Sequence, residues 1–123
     1  RIERVIRNLV VNAIEHADGT PVTITLAATE TDVACRVRDR GVGMTQEVAD
    51  HVFDRFYRAD TARARTTGGT GLGLAIATED VAIHGGRLQA YGEPGRGASF
   101  LMTLPKRAGE EIVSRPLALW EDE

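Results

Sequence analysis

The sequence predicts an α+β fold: a two-layer sandwich in which a mixed sheet is covered on one face by helices. Two observations carry this. Apolar residues recur at helical spacing in the first segment, fill a second helix-length segment nearly all round, and alternate with their neighbours in the two short runs after the first helix. The segments follow one another as helix, hairpin, short helix, loop, helix, hairpin, an order that puts helices against one face of a sheet.

Ile2, Val5, Ile6, Leu9, Ala13 and Ala17 share one helical face, which predicts a helix from about 2 to 17. Asp18-Gly19-Thr20-Pro21 stops it. Val22, Ile24, Leu26 and Ala28 alternate with Thr23, Thr25 and Ala27, and Val33, Cys35 and Val37 alternate with Ala34, Arg36 and Arg38. These two runs read as half-buried strands of a hairpin turning around Glu30-Thr31. Cys35 falls on the apolar side, where a free thiol behaves as a small hydrophobe.

Asp39-Arg40-Gly41-Val42-Gly43 breaks the second strand, and Thr45 is placed to cap a short helix running through Val52. Phe53 to Arg58 follows, then a polar, basic loop from Ala59 to Gly69 whose length points to a functional role or mobility. Residues 71 to 84 are apolar nearly all round and read as a buried helix ended by Gly85-Gly86. Arg87 to Tyr91 and Ala98 to Leu104 form a second hairpin around Pro94-Gly95. The acidic stretch from 106 to 123 lacks periodicity and is expected to be poorly ordered, leaving residues 1 to 105 as the domain.

The chain has 123 residues, a net charge of −3 and one cysteine. One domain is the natural reading. The acidic balance argues against nucleic acid as a partner. A single cysteine excludes an internal disulfide and fits a reducing compartment. No apolar run approaches the ~20 residues needed to span a bilayer, and no signal peptide is visible, so no direct membrane contact is expected of these residues. The opening at Arg1, inside a helix-like pattern and without Met, reads as a piece of a larger protein.

Three groups of residues suggest chemistry. Asn8 and Asn12 are four apart on the first helix and share a polar face with Glu15 and His16. Asparagine is a poor helix former. The face is either plain solvated surface or a set of neutral oxygen ligands suited to a magnesium ion that keeps several waters and binds phosphates. Asp39, at a strand end before two glycines, marks either a turn or a carboxylate able to accept from the exocyclic amino group of adenine. Guanine presents a carbonyl there and would be rejected. Gly69-Thr70-Gly71-Leu72-Gly73-Leu74 leads from the basic loop into a helix N-terminus, where backbone N–H groups favour a phosphate. It is not a P-loop, since no Gly-Lys-Ser/Thr follows, and its spacing and preceding loop do not suit a dinucleotide fingerprint.

In this order and spacing, the chain resembles the ATP-binding catalytic domain of bacterial sensor histidine kinases, within the larger group that includes gyrase and Hsp90. Asn8 to Ala13 with His16 is similar to that family's N box, Asp39 to Gly43 to its G1 box, Phe53 to Arg58 to its F box, and Gly69 to Leu74 to its G2 box. The resemblance covers about residues 1 to 105. Gly68 to Ile76, Glu79-Asp80, Gly92 to Gly95 and Ser114 to Leu117 look more narrowly like an actinobacterial kind of sensor kinase.

The resemblance implies a set of roles. Asn12 would ligate Mg2+ with Asn8 beside it, and His16 would help to bind phosphate or metal-bound water. Asp39 would bind the adenine amino group, with Gly41 and Gly43 letting the base approach. Gly69, Thr70, Gly71, Leu72 and Gly73 would hold the phosphates of ATP. Arg58 would reach the γ-phosphate during transfer, and residues 59 to 69 would form a lid with Arg63 and Arg65 as possible phosphate contacts. Glu15 stands where the family often has lysine, so no phosphate contact is assigned to it.

The ATP-hydrolysing members of the group carry a glutamate general base four residues before the metal-binding asparagine; Asn8 occupies that position here and cannot take a proton. This favours a kinase over an ATPase or a serine kinase of related fold, and a nucleotide-binding module without transfer activity is the remaining alternative. None of His16, His51 and His84 matches the family's phosphoacceptor. The implied partners are therefore ATP, a dimerisation and phosphoacceptor domain outside these residues, and a response regulator. The implied setting is the cytoplasmic part of a membrane-anchored kinase.

Overall fold

A computed structural model describes residues 2–54 and 73–120. Its elements are α1 (Ile2–His16), β1 (Val22–Ala28), β2 (Asp32–Asp39), α2 (Gln46–His51), α3 (Gly73–Ile83), β3 (Arg87–Glu93) and β4 (Gly97–Pro105). The four strands form one sheet in the order β1-β2-β4-β3. All three pairings are antiparallel, so the described sheet is not the mixed one expected. Each hairpin is antiparallel because its strands are joined by a short turn, and β2 and β4, which join the two hairpins, also run in opposite directions.

Local sequence accounts for the boundaries. Val5, Leu9 and Ala13 give α1 a buried stripe. Asp18 and Gly19, both at positive φ, then turn the chain, and the Thr20 hydroxyl donates to the Ala17 carbonyl. Thr45 caps α2 as expected, its hydroxyl accepting from the N–H of Val48 at 3.3 Å. At the end of α3, Gly85 N–H donates to the Ala82 carbonyl and Gly86 N–H to the Val81 carbonyl, the paired bonds of a Schellman cap that Gly85 permits at φ 75°. Glu93 to Arg96 forms a tight turn closed by Arg96 N–H on the Glu93 carbonyl at 2.9 Å, with proline second and Gly95 third at φ 80°.

The core lies between helices and sheet. Val5, Leu9 and Ala13 of α1 and Ala77 and Val81 of α3 pack with Cys35, Val37, Phe100 and Met102. Phe53 meets Phe100 edge-on with ring centroids 6.0 Å apart. Burial pushes the Cys35 thiol up from its ordinary pKa, consistent with a packing residue. β1 is the less covered edge. The expected burial of its apolar face is not found: Ile24, Leu26 and Ala28 are exposed while Thr25 and Ala27 are half-buried, because α1 packs mainly over β2. Ile2, Ile6, Leu26, Ala28 and Leu104 consequently border an open apolar groove. α3 is less buried than its composition suggests, with Ile83 66% exposed at its last turn.

Residues 106–120 contain no helix or strand. Even so, residues 113–120 are bonded to the sheet on the face opposite the helices, by contacts with Asp32, Arg36, Ser99 and Tyr91.

Candidate functional site

The polar face of α1 is partly covered. Asn8, Asn12 and His16 are half-buried while Glu15 is exposed. His16 Nδ1 lies 3.2 Å from the Asn12 carbonyl oxygen, so the two share the last turn of the helix. Directly beyond it, the loop after β2 packs against the helix end. A methyl group on Gly41 would collide with the His16 carbonyl and the Ala17 α-carbon, so only glycine allows this approach. The N-box and G1-box residues, more than twenty positions apart in sequence, thus meet through Gly41.

Asp39 ends β2 and is 1% exposed. Its Oδ1 accepts from the N–H of Gly41 at 2.9 Å. Its Oδ2 is buried and has no hydrogen-bond partner among the described residues. A buried carboxylate oxygen in that state costs free energy unless something donates to it. Gly43, at φ 76°, is pressed against the Glu93 carbonyl, and Gly97, at φ 95°, against the Asp39 carbonyl. The turn between β3 and β4 therefore braces the loop that follows Asp39.

α3 begins at Gly73, the last of the residues read as a phosphate grip. At the other end of the helix, Asp80 is nearly buried and accepts from Arg4 Nε at 3.2 Å and Nη2 at 2.8 Å, tying α3 to the first turn of α1. Arg58, Arg63, Arg65, Gly69, Thr70, Gly71 and Leu72 lie outside the described residues. His84 is exposed and its Nδ1 is 2.8 Å from the Asp80 carbonyl. His51 is exposed and bonds Asp54 at 2.8 Å, which raises its pKa above the ordinary imidazole value.

Sequence reasoning missed Arg38. This side chain is buried, donates to the Asp39 carbonyl at 3.2 Å and to the Arg96 carbonyl at 3.1 Å, and lies over Trp120. Strand alternation assigned it to the solvent face, and its cover comes from a segment without periodicity. Gly97 was missed too, although its place just after a Pro-Gly turn was a usable signal. Among the described residues no group of three or more His, Cys, Asp or Glu side chains could hold a metal, and no helix is long and apolar enough to cross a membrane.

The two-layer α+β domain thus carries an amide-bearing first helix, a buried carboxylate at a strand end and a third helix that opens on glycine. Residues 1–108 match the model of the histidine kinase-, DNA gyrase B- and HSP90-like ATPase family, and the chain belongs to that family. It is 52% identical over 119 residues to the sensor histidine kinase MtrB of Mycobacterium tuberculosis, covering 97% of this chain and 21% of MtrB. The sensor histidine kinase WalK of Bacillus subtilis is 40% identical over 114 residues, covering 90% of this chain and 19% of WalK. The chain thus spans about a fifth of the length of these relatives.

Among solved structures, full-length ShkA in complex with AMPPNP superposes with a TM-score of 0.72 at 28% identity, covering 88% of this chain and 22% of ShkA. The mycobacterial sensor histidine kinase MprB does so with a TM-score of 0.71 at 28% identity, covering 85% of this chain and 70% of the other. The fold is that of the ATPase domain of histidine kinases, as the sequence led us to expect.

Proposed function

We propose that this chain binds Mg-ATP and serves as the catalytic domain of a two-component sensor histidine kinase, passing the γ-phosphate to a histidine on a dimerisation and phosphoacceptor domain outside these residues. The observation that carries the reading is Asp39: a buried carboxylate with one oxygen held by Gly41 N–H and the other without a partner among the described residues. The exocyclic amino group of adenine supplies the missing donor, and a guanine carbonyl would not.

Asn12, with Asn8 beside it, is the ligand pair we assign to Mg2+. Neutral amide oxygens suit an ion whose remaining partners are phosphates and water. When bound, the ion neutralises charge on the phosphate oxygens. His16 is the half-buried neighbour assigned to phosphate or metal-bound water. Gly69, Thr70, Gly71, Leu72 and Gly73 would hold the phosphates, and Arg58 would reach the γ-phosphate during transfer. Phosphoryl transfer asks chiefly for positioning and charge stabilisation, which suits a domain with Asn8 where a water-activating glutamate would stand. That residue argues for transfer over hydrolysis.

In the whole protein the acceptor phosphohistidine would serve a response regulator, of the MtrA type if the likeness to MtrB extends to partners, and the domain would lie on the cytoplasmic side of a membrane-anchored kinase. The test is a titration of ATP with and without Mg2+, followed by mixing with a protein carrying the acceptor domain. We expect Mg2+-dependent binding, no stable phosphohistidine on this chain alone, and transfer on mixing. Binding without transfer to any acceptor domain would favour a nucleotide-binding module.

A further inference from the structure

Residues 114 to 120 run along the outer face of β2 from one end to the other. At the start of the strand, Asp32 Oδ2 accepts from Ser114 N–H at 2.8 Å, Ser114 Oγ at 2.6 Å, Val113 N–H at 3.2 Å and Thr31 Oγ1 at 2.8 Å. In the middle, Arg36 Nη1 donates to the Ala118 carbonyl at 2.8 Å, and Ser99 Oγ to the Leu119 carbonyl at 2.6 Å. At the far end, Trp120 meets Tyr91 edge-on at 5.0 Å, and the Arg38 guanidinium carbon sits 3.8 Å from the centroid of the Trp120 ring. Seven residues of tail, Ser114 to Trp120, thus accompany seven residues of strand, Asp32 to Arg38, although the tail bends at 116, 117 and 119.

The position of Arg38 gives this arrangement a consequence. Its guanidinium is stacked on Trp120 while donating to the carbonyls of Asp39 and Arg96. The Asp39 carbonyl also receives the close approach of Gly97. Arg38 therefore ties the backbone that carries the Asp39 carboxylate to the turn that braces it, and Trp120 shields those bonds from water. An arginine stacked on an indole loses fewer rotamers than a free one and donates in a fixed plane.

We propose that residues 113–120 form a strap that holds the adenine-recognition end of β2 in its binding conformation, with Trp120 and Arg38 as positioning residues for Asp39. This rests on the ATP-binding reading above and adds to it a segment outside the four sequence boxes. The strap acts through preorganisation: with Trp120 docked, less ordering of the loop at Gly41 remains for nucleotide binding.

The experiment uses the 123-residue chain and its Trp120→Ala, Trp120→Tyr and Arg38→Ala variants. The first readout needs no nucleotide: hydrogen exchange at the Gly41 amide, which is bonded to Asp39 Oδ1. Trp120→Ala and Arg38→Ala should speed that exchange, Trp120→Tyr should restore much of the protection, and amides of Leu9 and Phe100 should stay protected. The second readout is Mg-ATP affinity, expected to fall on the order of five- to tenfold in Trp120→Ala and to be largely rescued in Trp120→Tyr. Because Trp120 is the chain's one tryptophan, its emission should also respond to ATP in the wild type. Unchanged Gly41 exchange in Trp120→Ala overturns the strap. Failure of the wild type to bind ATP, with exchange still accelerated in the variant, overturns the ATP reading and leaves the strap standing as a brace of this loop. Loss of protection throughout the core in every variant, tyrosine included, reduces Trp120 to a general stability residue and also overturns the proposal.

Discussion

The α-carbon of Gly41 rests against the carbonyl oxygen of His16, so closely that no side chain fits between them. Through this contact the end of the asparagine-bearing helix and the carboxylate-bearing strand become one surface, since Gly41 also donates its N–H to Asp39.

Replacing Gly41 with alanine should therefore act on both elements at once. The added methyl must push the loop off α1, at about 1–3 kcal/mol, as for overpacking in a filled core. Thermal unfolding should show the loss, and calorimetric titration should show weaker ATP binding. A variant with wild-type melting and affinity would mean that the loop and helix are not coupled.

Asp39→Ala should remove discrimination between adenine and guanine nucleotides. Losing the bond to the exocyclic amino group and the penalty against a carbonyl is worth on the order of ten- to a hundredfold in relative affinity. Competition between ATP and GTP reads this directly, and an unchanged preference would withdraw Asp39 from base recognition.

For Asn12→Ala the expected loss is confined to binding in the presence of Mg2+. Affinity for ATP measured with excess chelator should move little, since the amide is assigned to the ion and not to the base. Equal weakening in both conditions would point to a packing role for Asn12 in α1.

The strap should let go in acid. The Ser114 side chain, above all, holds the Asp32 carboxyl below its usual range against the opposing effect of burial, with Thr31 and the N–H groups of Val113 and Ser114 adding to the effect. A carboxyl with a depressed folded pKa contributes stability above its ordinary value of 3.8, and that contribution is lost as pH falls through the folded one. Trp120 emission should accordingly shift below pH 3.8, and Asp32→Asn should lack that step. Identical acid profiles in the two proteins would detach the strap from Asp32.

His51 behaves in the opposite sense. Its bond to Asp54 raises the imidazole pKa from the ordinary 6.5, so its stabilising contribution is complete below that value and fades as pH rises through the folded one. Both groups are exposed, so the effect on overall stability should be small. An NMR titration of the His51 ring should give a pKa above 6.5 that drops in Asp54→Asn; no drop would remove Asp54 as the cause.

How much of this was legible beforehand depended on the kind of signal. Val5, Leu9 and Ala13 announce α1 because burial of one helical face imposes a period, and Val33, Cys35 and Val37 announce β2 for the same reason at a period of two. The Thr45 cap and the glycines after α3 were readable because backbone chemistry at helix ends is local. Asn8, Asn12 and Asp39 stood out through residue type and spacing. Arg38 did not: its alternation reads as a half-exposed strand, where an arginine that stacks and one that is solvated look the same, yet β2 is covered on both faces.

The sequence by itself thus determined the elements, their order and the family, because periodicity, caps and the four boxes are all written in neighbouring residues. Only the tertiary structure decided that β2 pairs with β4, that Gly41 closes on His16, and that residues 113–120 run along the outer face of β2 to bring Trp120 over Arg38. Those contacts join residues some 25 to 80 positions apart. No local pattern encodes them, since an irregular segment that docks by scattered hydrogen bonds and one ring imposes no period on its own residues.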